Sequence, residues 1–164
     1  MKTLWAPWRM KYIKEEAGPK QPGCLFCPRI AAANDPENLI VHREPRAVVF
    51  MNKYPYNSGH ILVMPLRHVG EMDDLDPDEL LELFDLVRKS LRAMKKIMNP
   101  DGYNIGINLG DVAGAGVPEH LHVHVVPRWN GDTNFMPVLG DVKVIPEHVR
   151  ETRDKLALAF RDLK

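Results

Sequence analysis

Three histidines alternate with apolar residues in His120-Leu121-His122-Val123-His124-Val125-Val126, and Pro127-Arg128 follow. A β-strand sends successive side chains to opposite faces. As a strand, residues 120–126 place His120, His122 and His124 on one face and Leu121, Val123 and Val125 on the other. Imidazoles two residues apart on a strand stand about 6–7 Å from one another. Folding has no need of such a ridge, so its chemistry is the lead to function. Neutral imidazole is a nucleophile near neutral pH, because its ordinary pKa of about 6.5 leaves a ring nitrogen unprotonated. It can accept an acyl or phosphoryl group and release it, while a neighbouring imidazole donates a proton or steadies a negative oxygen. His-x-His on a strand is also a zinc pair. The ridge alone leaves catalysis and metal binding open.

A second feature enters the ridge from upstream. Gly110-Asp111-Val112-Ala113-Gly114-Ala115-Gly116-Val117-Pro118 is a small-residue loop, preceded by the amide side chain of Asn108. Glycine lets backbone N–H groups approach and converge on an anion. The loop holds no Lys or Arg, so a phosphate there would rely on N–H groups and imidazole. A third feature is Cys24-Leu25-Phe26-Cys27, whose C-x-x-C spacing is half of a zinc site or a redox dithiol.

The whole chain frames these groups. Its 164 residues, 45% hydrophobic, suffice for one domain with a sizeable core. Acidic and basic residues balance at 22 each, which argues against nucleic acid as a partner. No apolar run approaches the ~18–20 residues of a membrane span. Met1 to Ile13 lacks the apolar stretch and small-residue cleavage site of a signal peptide. The expected location is the cytoplasm.

The elements that must position the chemistry are readable in outline. Strands are expected at Leu39–His42, Arg46–Asn52, His60–Pro65, Tyr103–Leu109 and His120–Val126. Asp76-Pro77-Asp78-Glu79 opens a helix, with Asp at the N-cap, Pro at the first helical position and Glu at the third. Leu80, Leu83, Phe84, Val87, Leu91, Met94 and Met98 then recur at helical spacing until Asn99-Pro100. A last helix is expected from about Pro146, with Val149, Leu156 and Phe160 on one face. The fold class is α+β: a mostly antiparallel five-stranded sheet, one long helix and a C-terminal helix. Residues 1–23 form an aromatic arm (Trp5, Trp8, Tyr12) and a Pro/Gly loop, 24–130 the main domain, and 131–164 an extension. The arm is apolar enough to pack on the body or on a second subunit. His42 and His148 are read as edge or solvated histidines, Arg88, Arg92, Lys95 and Lys96 as the wet face of the long helix, and Met51 and Met64 as core. Trp129 is left open between covering a ligand site and packing at an interface.

Ser58-Gly59-His60-Ile61-Leu62-Val63-Met64-Pro65, Asn108-Leu109-Gly110 and the histidine run through Arg128 together resemble the histidine triad (HIT) superfamily over about residues 24–130. Leu4-Trp5-Ala6-Pro7-Trp8-Arg9 and Arg128-Trp129-Asn130-Gly131-Asp132 are similar to a bacterial branch associated with diadenosine tetraphosphate phosphorylase and hydrolase activity. The resemblance implies a HIT-like fold and cleavage at the α-phosphate of dinucleoside polyphosphates or related adenylylated substrates. It implies His122 as the nucleophile that forms a nucleotidyl-histidine, His124 as the phosphate contact and His60 as a supporting histidine. Asn52 would hold the ribose of an AMP moiety, and Asn108 with Gly114, Ala115 and Gly116 would surround the phosphate. It also implies that His68 and His120 complete a structural zinc site with Cys24 and Cys27, and that the protein is a homodimer or a tetramer. Many members carry Gln and then Ser or Thr where Ala115 and Gly116 stand here. This departure removes a proton donor and widens the space beside the phosphate, which suits inorganic phosphate as well as water as acceptor. Two other readings stand beside this one: a zinc-dependent hydrolase with metal on the triad itself, and a nucleotide-binding or scaffold protein with little turnover.

Overall fold

The computed structural model describes residues 23–133 and 144–163. The aromatic arm and most of the Pro/Gly loop lie outside the described residues, as does the middle of the extension.

The centre of the fold is built from two short runs that are apolar at every position. β1 spans Ile40–Arg43, β2 Ala47–Met51 and β3 Ile61–Pro65. Every residue of β2 and β3 is buried, as a strand covered on both faces requires. Ala47, Val49, Met51, Ile61 and Val63 face one apolar cluster, and Val48, Phe50, Leu62 and Met64 face another. β4 (Gly102–Ile107) and β5 (Val123–Arg128) complete an antiparallel sheet in the order β1-β2-β3-β5-β4.

Helices close both faces. On one, α2 (Pro77–Met98) and α3 (Val149–Arg161) lie over the larger cluster. The opening of α2 is a full capping box: the Asp76 carboxylate accepts from Glu79 N at 2.8 Å and Glu79 accepts from Asp76 N at 3.1 Å. Asn99 ends it in a left-handed conformation, φ 42°. The expected apolar stripe of α2 is rotated in the structure. Leu83, Leu86, Val87, Ser90, Ala93 and Met94 are buried, whereas Leu80 and Phe84 are exposed. α3 packs against α2 beside the sheet, and Leu86 and Ala93 join the cluster that holds Leu156, Ala159 and Phe160 of α3. α3 buries Leu156 and Phe160, with Val149 partly covered, as its spacing predicts. His148 caps it, Nδ1 accepting from Arg150 N at 3.3 Å. His42 stacks on Phe160 with ring centroids 4.6 Å apart. Both histidines therefore have structural work.

On the other face the short α1 (Cys27–Ala31) hangs from Phe26, which is buried among Ile40, Val48, Phe50, Leu62 and Met64. This is the face that carries the histidines.

Candidate active site and metal centre

The alternation of the histidine run persists, but the ladder does not begin where the alternation does. Leu121, Val123 and Val125 lie in the α2-side cluster. Phe26, on the opposite side, has its ring centroid 5.6 Å from both His120 and His122. The strand expected from His120 starts only at Val123, which pairs with Val63 and Ile107. Two contacts stop it earlier. Leu121 N donates to Val69 O at 2.7 Å, and the ring of His120 takes the carbonyl of Pro65 at 2.9 Å. His120 and His122 thus stand on an extended lead-in, and His124 on the strand proper.

Hydrogen bonds decide which ring nitrogens carry protons. Nδ1 of His122 lies 2.8 Å from the carbonyl oxygen of His120. A carbonyl only accepts, so His122 holds its proton on Nδ1 and its lone pair on Nε2. Burial pushes His122 below the ordinary imidazole value. At neutral pH it is a neutral ring with a nucleophilic Nε2.

The neighbouring pair has the opposite polarity. Tyr56 N donates to Nδ1 of His60 at 3.0 Å. Neutral His60 then carries its proton on Nε2, which donates to Nδ1 of His124 at 3.0 Å. The proton of His124 is thereby left on Nε2. The ring centroids of His122 and His124 are 5.0 Å apart. A lone pair and a proton donor stand side by side, each fixed by a backbone group.

Asn52 flanks His60, its Nδ2 3.3 Å from Nδ1, while its Oδ1 accepts from Tyr54 N at 2.9 Å. Asn108 is half-buried, and its Nδ2 donates across the loop to Gly114 O at 3.4 Å. Gly110 and Gly114 take φ of 76° and 84°, where glycine is favoured. Ala115 is buried and Gly116 exposed, and Val117 anchors the loop to the Phe26 cluster.

A clamp that sequence reasoning missed holds the His60 turn and the end of β5 together. Asn57 Nδ2 donates to Pro127 O at 3.1 Å and to Asp132 Oδ2 at 2.8 Å. Asp132 also accepts from Arg128 Nε at 2.6 Å and Trp129 N at 3.2 Å. Its carboxyl is held far below the usual range, chiefly by the Arg128 guanidinium. Trp129 donates from its indole N–H to Met98 O at 3.3 Å, at the C-terminal end of α2. The one sequence signal for this clamp is the Arg128–Asp132 spacing, which does not point to Asn57.

Cys24, Cys27, His68 and His120 come together with their ligand atoms all within 4.8 Å of one another. Cys24 Sγ is 3.3 Å and Cys27 Sγ 3.7 Å from His120 Nδ1, and Cys27 Sγ is 3.4 Å from His68 Nδ1. Tetrahedral zinc with Zn–S of about 2.3 Å and Zn–N of about 2.0 Å sets N and S about 3.5 Å apart, so these residues fit the ion. The tautomer of His120 fits as well: Nε2 faces the Pro65 carbonyl and must carry the proton, leaving the Nδ1 lone pair for a metal. Burial and the adjacent Cys24 thiol push Cys27 up to about 11, so a bound cation is what would make it a thiolate.

An AP-4-A phosphorylase of Mycobacterium tuberculosis is 43% identical over 162 residues, covering 96% of this chain and 83% of that protein. The asymmetrical bis(5'-nucleosyl)-tetraphosphatase of Schizosaccharomyces pombe is 41% identical over 93 residues, 57% of this chain and 50% of that one. A solved Zn-bound histidine triad family protein from Mycobacterium smegmatis matches with a TM-score of 0.68 at 26% identity, covering 85% of this chain and 94% of that chain. The model of the HIT domain matches residues 33–131. With the alternating imidazoles, the fold that carries them and these relatives in agreement, the chain belongs to the HIT domain family.

Proposed function

We propose that this chain is a nucleotidyl hydrolase or phosphorylase that cleaves dinucleoside polyphosphates of the diadenosine tetraphosphate type through a covalent bond to His122. The observation that carries the reading is the opposed polarity of His122 and His124, a lone pair on one Nε2 and a proton on the other. A phosphate set against the two Nε2 atoms meets a nucleophile and a hydrogen-bond donor already in place. The names of the M. tuberculosis and S. pombe relatives support the substrate class.

His122 Nε2 forms a bond to the α-phosphorus as the bond from phosphorus to the bridging oxygen breaks. The ring, still protonated on Nδ1, becomes positively charged, and the His120 carbonyl stabilises that charge. His124 donates from Nε2 to a phosphoryl oxygen. From Ala113 to Pro118 the loop offers no side-chain proton donor. A polyphosphate leaving group needs none, because it departs as a stable anion with terminal phosphate pKa near about 6. Water or inorganic phosphate then attacks phosphorus and expels Nε2, giving AMP or ADP from an adenylyl group. Asn52 is assigned to the ribose, and Asn108 with Gly114, Ala115 and Gly116 to the phosphate.

Cys24, Cys27, His68 and His120 would hold a structural zinc, whose four protein ligands leave no position for substrate. It would tie α1 to the segment whose carbonyl orients His122. A homodimer is the assigned state: β4 is an edge strand with Asn104, Ile105 and Gly106 exposed, ready to pair with a second copy. No helix among the described residues is long and apolar enough to cross a membrane, and the cytoplasm is the assigned location.

The test is His122→Asn on diadenosine tetraphosphate, with and without inorganic phosphate. Loss of turnover with AMP binding retained, and an acid-labile adenylyl adduct in the rapidly quenched wild type, is the expected result. Free turnover by the variant would overturn the mechanism. ATP with ADP as products in phosphate, rather than ATP with AMP, identifies a phosphorylase.

A further inference from the structure

The two imidazoles engage one phosphate, and a dinucleoside polyphosphate brings a second nucleoside on the same chain. We propose that Lys53, Tyr54 and Tyr56 form the platform that receives this second nucleoside and the phosphates leading to it. The inference rests on the reading above and deepens it to the leaving half of the substrate.

Three observations support it. First, the turn from Asn52 to His60 is held rigidly from within. Tyr54 N donates to Asn52 Oδ1, Tyr56 N to His60 Nδ1, Asn52 N to His60 O at 2.9 Å and Ser58 N to its neighbour Asn57 Oδ1 at 3.1 Å. Yet two large rings on this fixed turn stay 41% and 45% exposed, Tyr54 and Tyr56 respectively.

Second, the aromatic surface begins at the reacting centre. The Tyr56 ring lies 4.6 Å from that of His60 and 5.8 Å from that of His124, inclined to the latter by only 11°. A ligand anchored at His124 by one phosphate therefore has an aromatic face beside it.

Third, the charge is in the right place. Lys53 Nζ sits 5.5 Å from the Tyr54 ring centroid. Among residues 52–60 and 108–124, Lys53 is the lone Lys or Arg. A polyphosphate chain carries several negative charges, and the protein as a whole has no net charge to attract it. An ammonium beside exposed rings suits a nucleotide, which stacks by its base and pairs by its phosphate.

The experiment compares two substrates with the same α-phosphate and the same four-phosphate chain: diadenosine tetraphosphate and adenosine 5'-tetraphosphate, which lacks the second nucleoside. KM and kcat are measured for wild type, Tyr54→Ala, Tyr56→Ala, Tyr56→Phe and Lys53→Ala. Losing a stacked base on alanine substitution typically costs about 5- to 160-fold. The ratio of KM for the dinucleotide to KM for the mononucleotide should rise about 5- to 10-fold in each tyrosine-to-alanine variant, and Tyr56→Phe should restore it. Lys53→Ala should raise both KM values, with an effect that fades as salt is added. An unchanged ratio in both tyrosine variants overturns the platform, whether because KM stays constant or because it rises equally for both substrates. A wild type inert toward both substrates overturns the underlying reading and this inference with it.

Discussion

Replacing one hydrogen atom beside His60 tests how tightly the turn that carries this histidine is packed. Gly59 has φ +76°, and a Cβ built there meets Met98 Sδ at 2.9 Å, Met98 Cε at 3.0 Å and Pro127 Cγ at 3.2 Å. In Gly59→Ala the left-handed backbone alone costs about 1–2 kcal/mol. The methionine tip is flexible and yields, whereas the proline ring is fixed in β5, so crowding adds about 1 kcal/mol, the low end for overpacking. The expected loss is about 2–3 kcal/mol, which for a chain of this size lowers Tm by about 4–12 °C. Urea and thermal denaturation followed by circular dichroism measure it. A double-mutant cycle with Met98→Ala separates the two causes. If crowding against sulfur contributes, the double variant is more stable than the sum of the singles predicts by about 0.5–1 kcal/mol; the strain in φ remains. Because Gly59 is bonded to His60, kcat should fall in the single variant and partly recover in the double. A Gly59→Ala protein within about 0.5 kcal/mol of wild type would refute the reasoning, since that is the scatter of neutral surface changes.

Three further outcomes follow from the structure. Glu79 is held at about 2, mainly by hydrogen bonding to Arg67, so its contribution is complete above pH 4.5 and disappears as pH falls from there to about 2. Glu79→Gln should therefore cost about 1–2 kcal/mol at pH 7, less than the shift alone implies because Arg67 is half-exposed. The gap should narrow below pH 4.5 and close only near pH 2, and a pH-independent gap would contradict the assignment. Protein purified without a histidine tag should carry about one zinc per chain by elemental analysis; Cys27→Ser or chelation should lower Tm by at least about 5 °C, and a metal-free protein melting at the wild-type temperature would remove the structural zinc. Because burial lowers the pKa of His122, kcat/KM should hold as pH falls past about 6.5 and decline only below it; a decline centred above that value would assign the limb to another group.

Much of this molecule is legible in the sequence where information is local. The His-x-His-x-His run keeps its faces because a period of two survives whether or not the ladder is bonded. Where the ladder starts is another matter, since Val69 and Pro65 decide it from more than fifty residues away. The start of α2 is written in four consecutive residues, but its buried stripe takes in Leu86 and Ala93, which share a cluster with α3, and no pattern within α2 encodes that neighbour. C-x-x-C announces two ligands, while its partners lie 41 and 96 residues onward at His68 and His120. Neither the Tyr56 amide that sets the polarity of His60 nor the Asn57–Asp132 contact across 75 residues is a side-chain pattern in the sequence. Both depend on where the backbone turns.

The unequal seams of the sheet set where the molecule can breathe. β2 and β3 are joined over five residue pairs and buried on both sides, whereas β5 joins β3 over only three. The central hairpin should therefore exchange its amide hydrogens near the rate of global unfolding, and the β3–β5 seam earlier. The histidine segment stands on that boundary, anchored to the most durable part of the fold yet able to loosen without dismantling it. Opening for substrate and release of product can then occur at a free-energy cost well below that of unfolding.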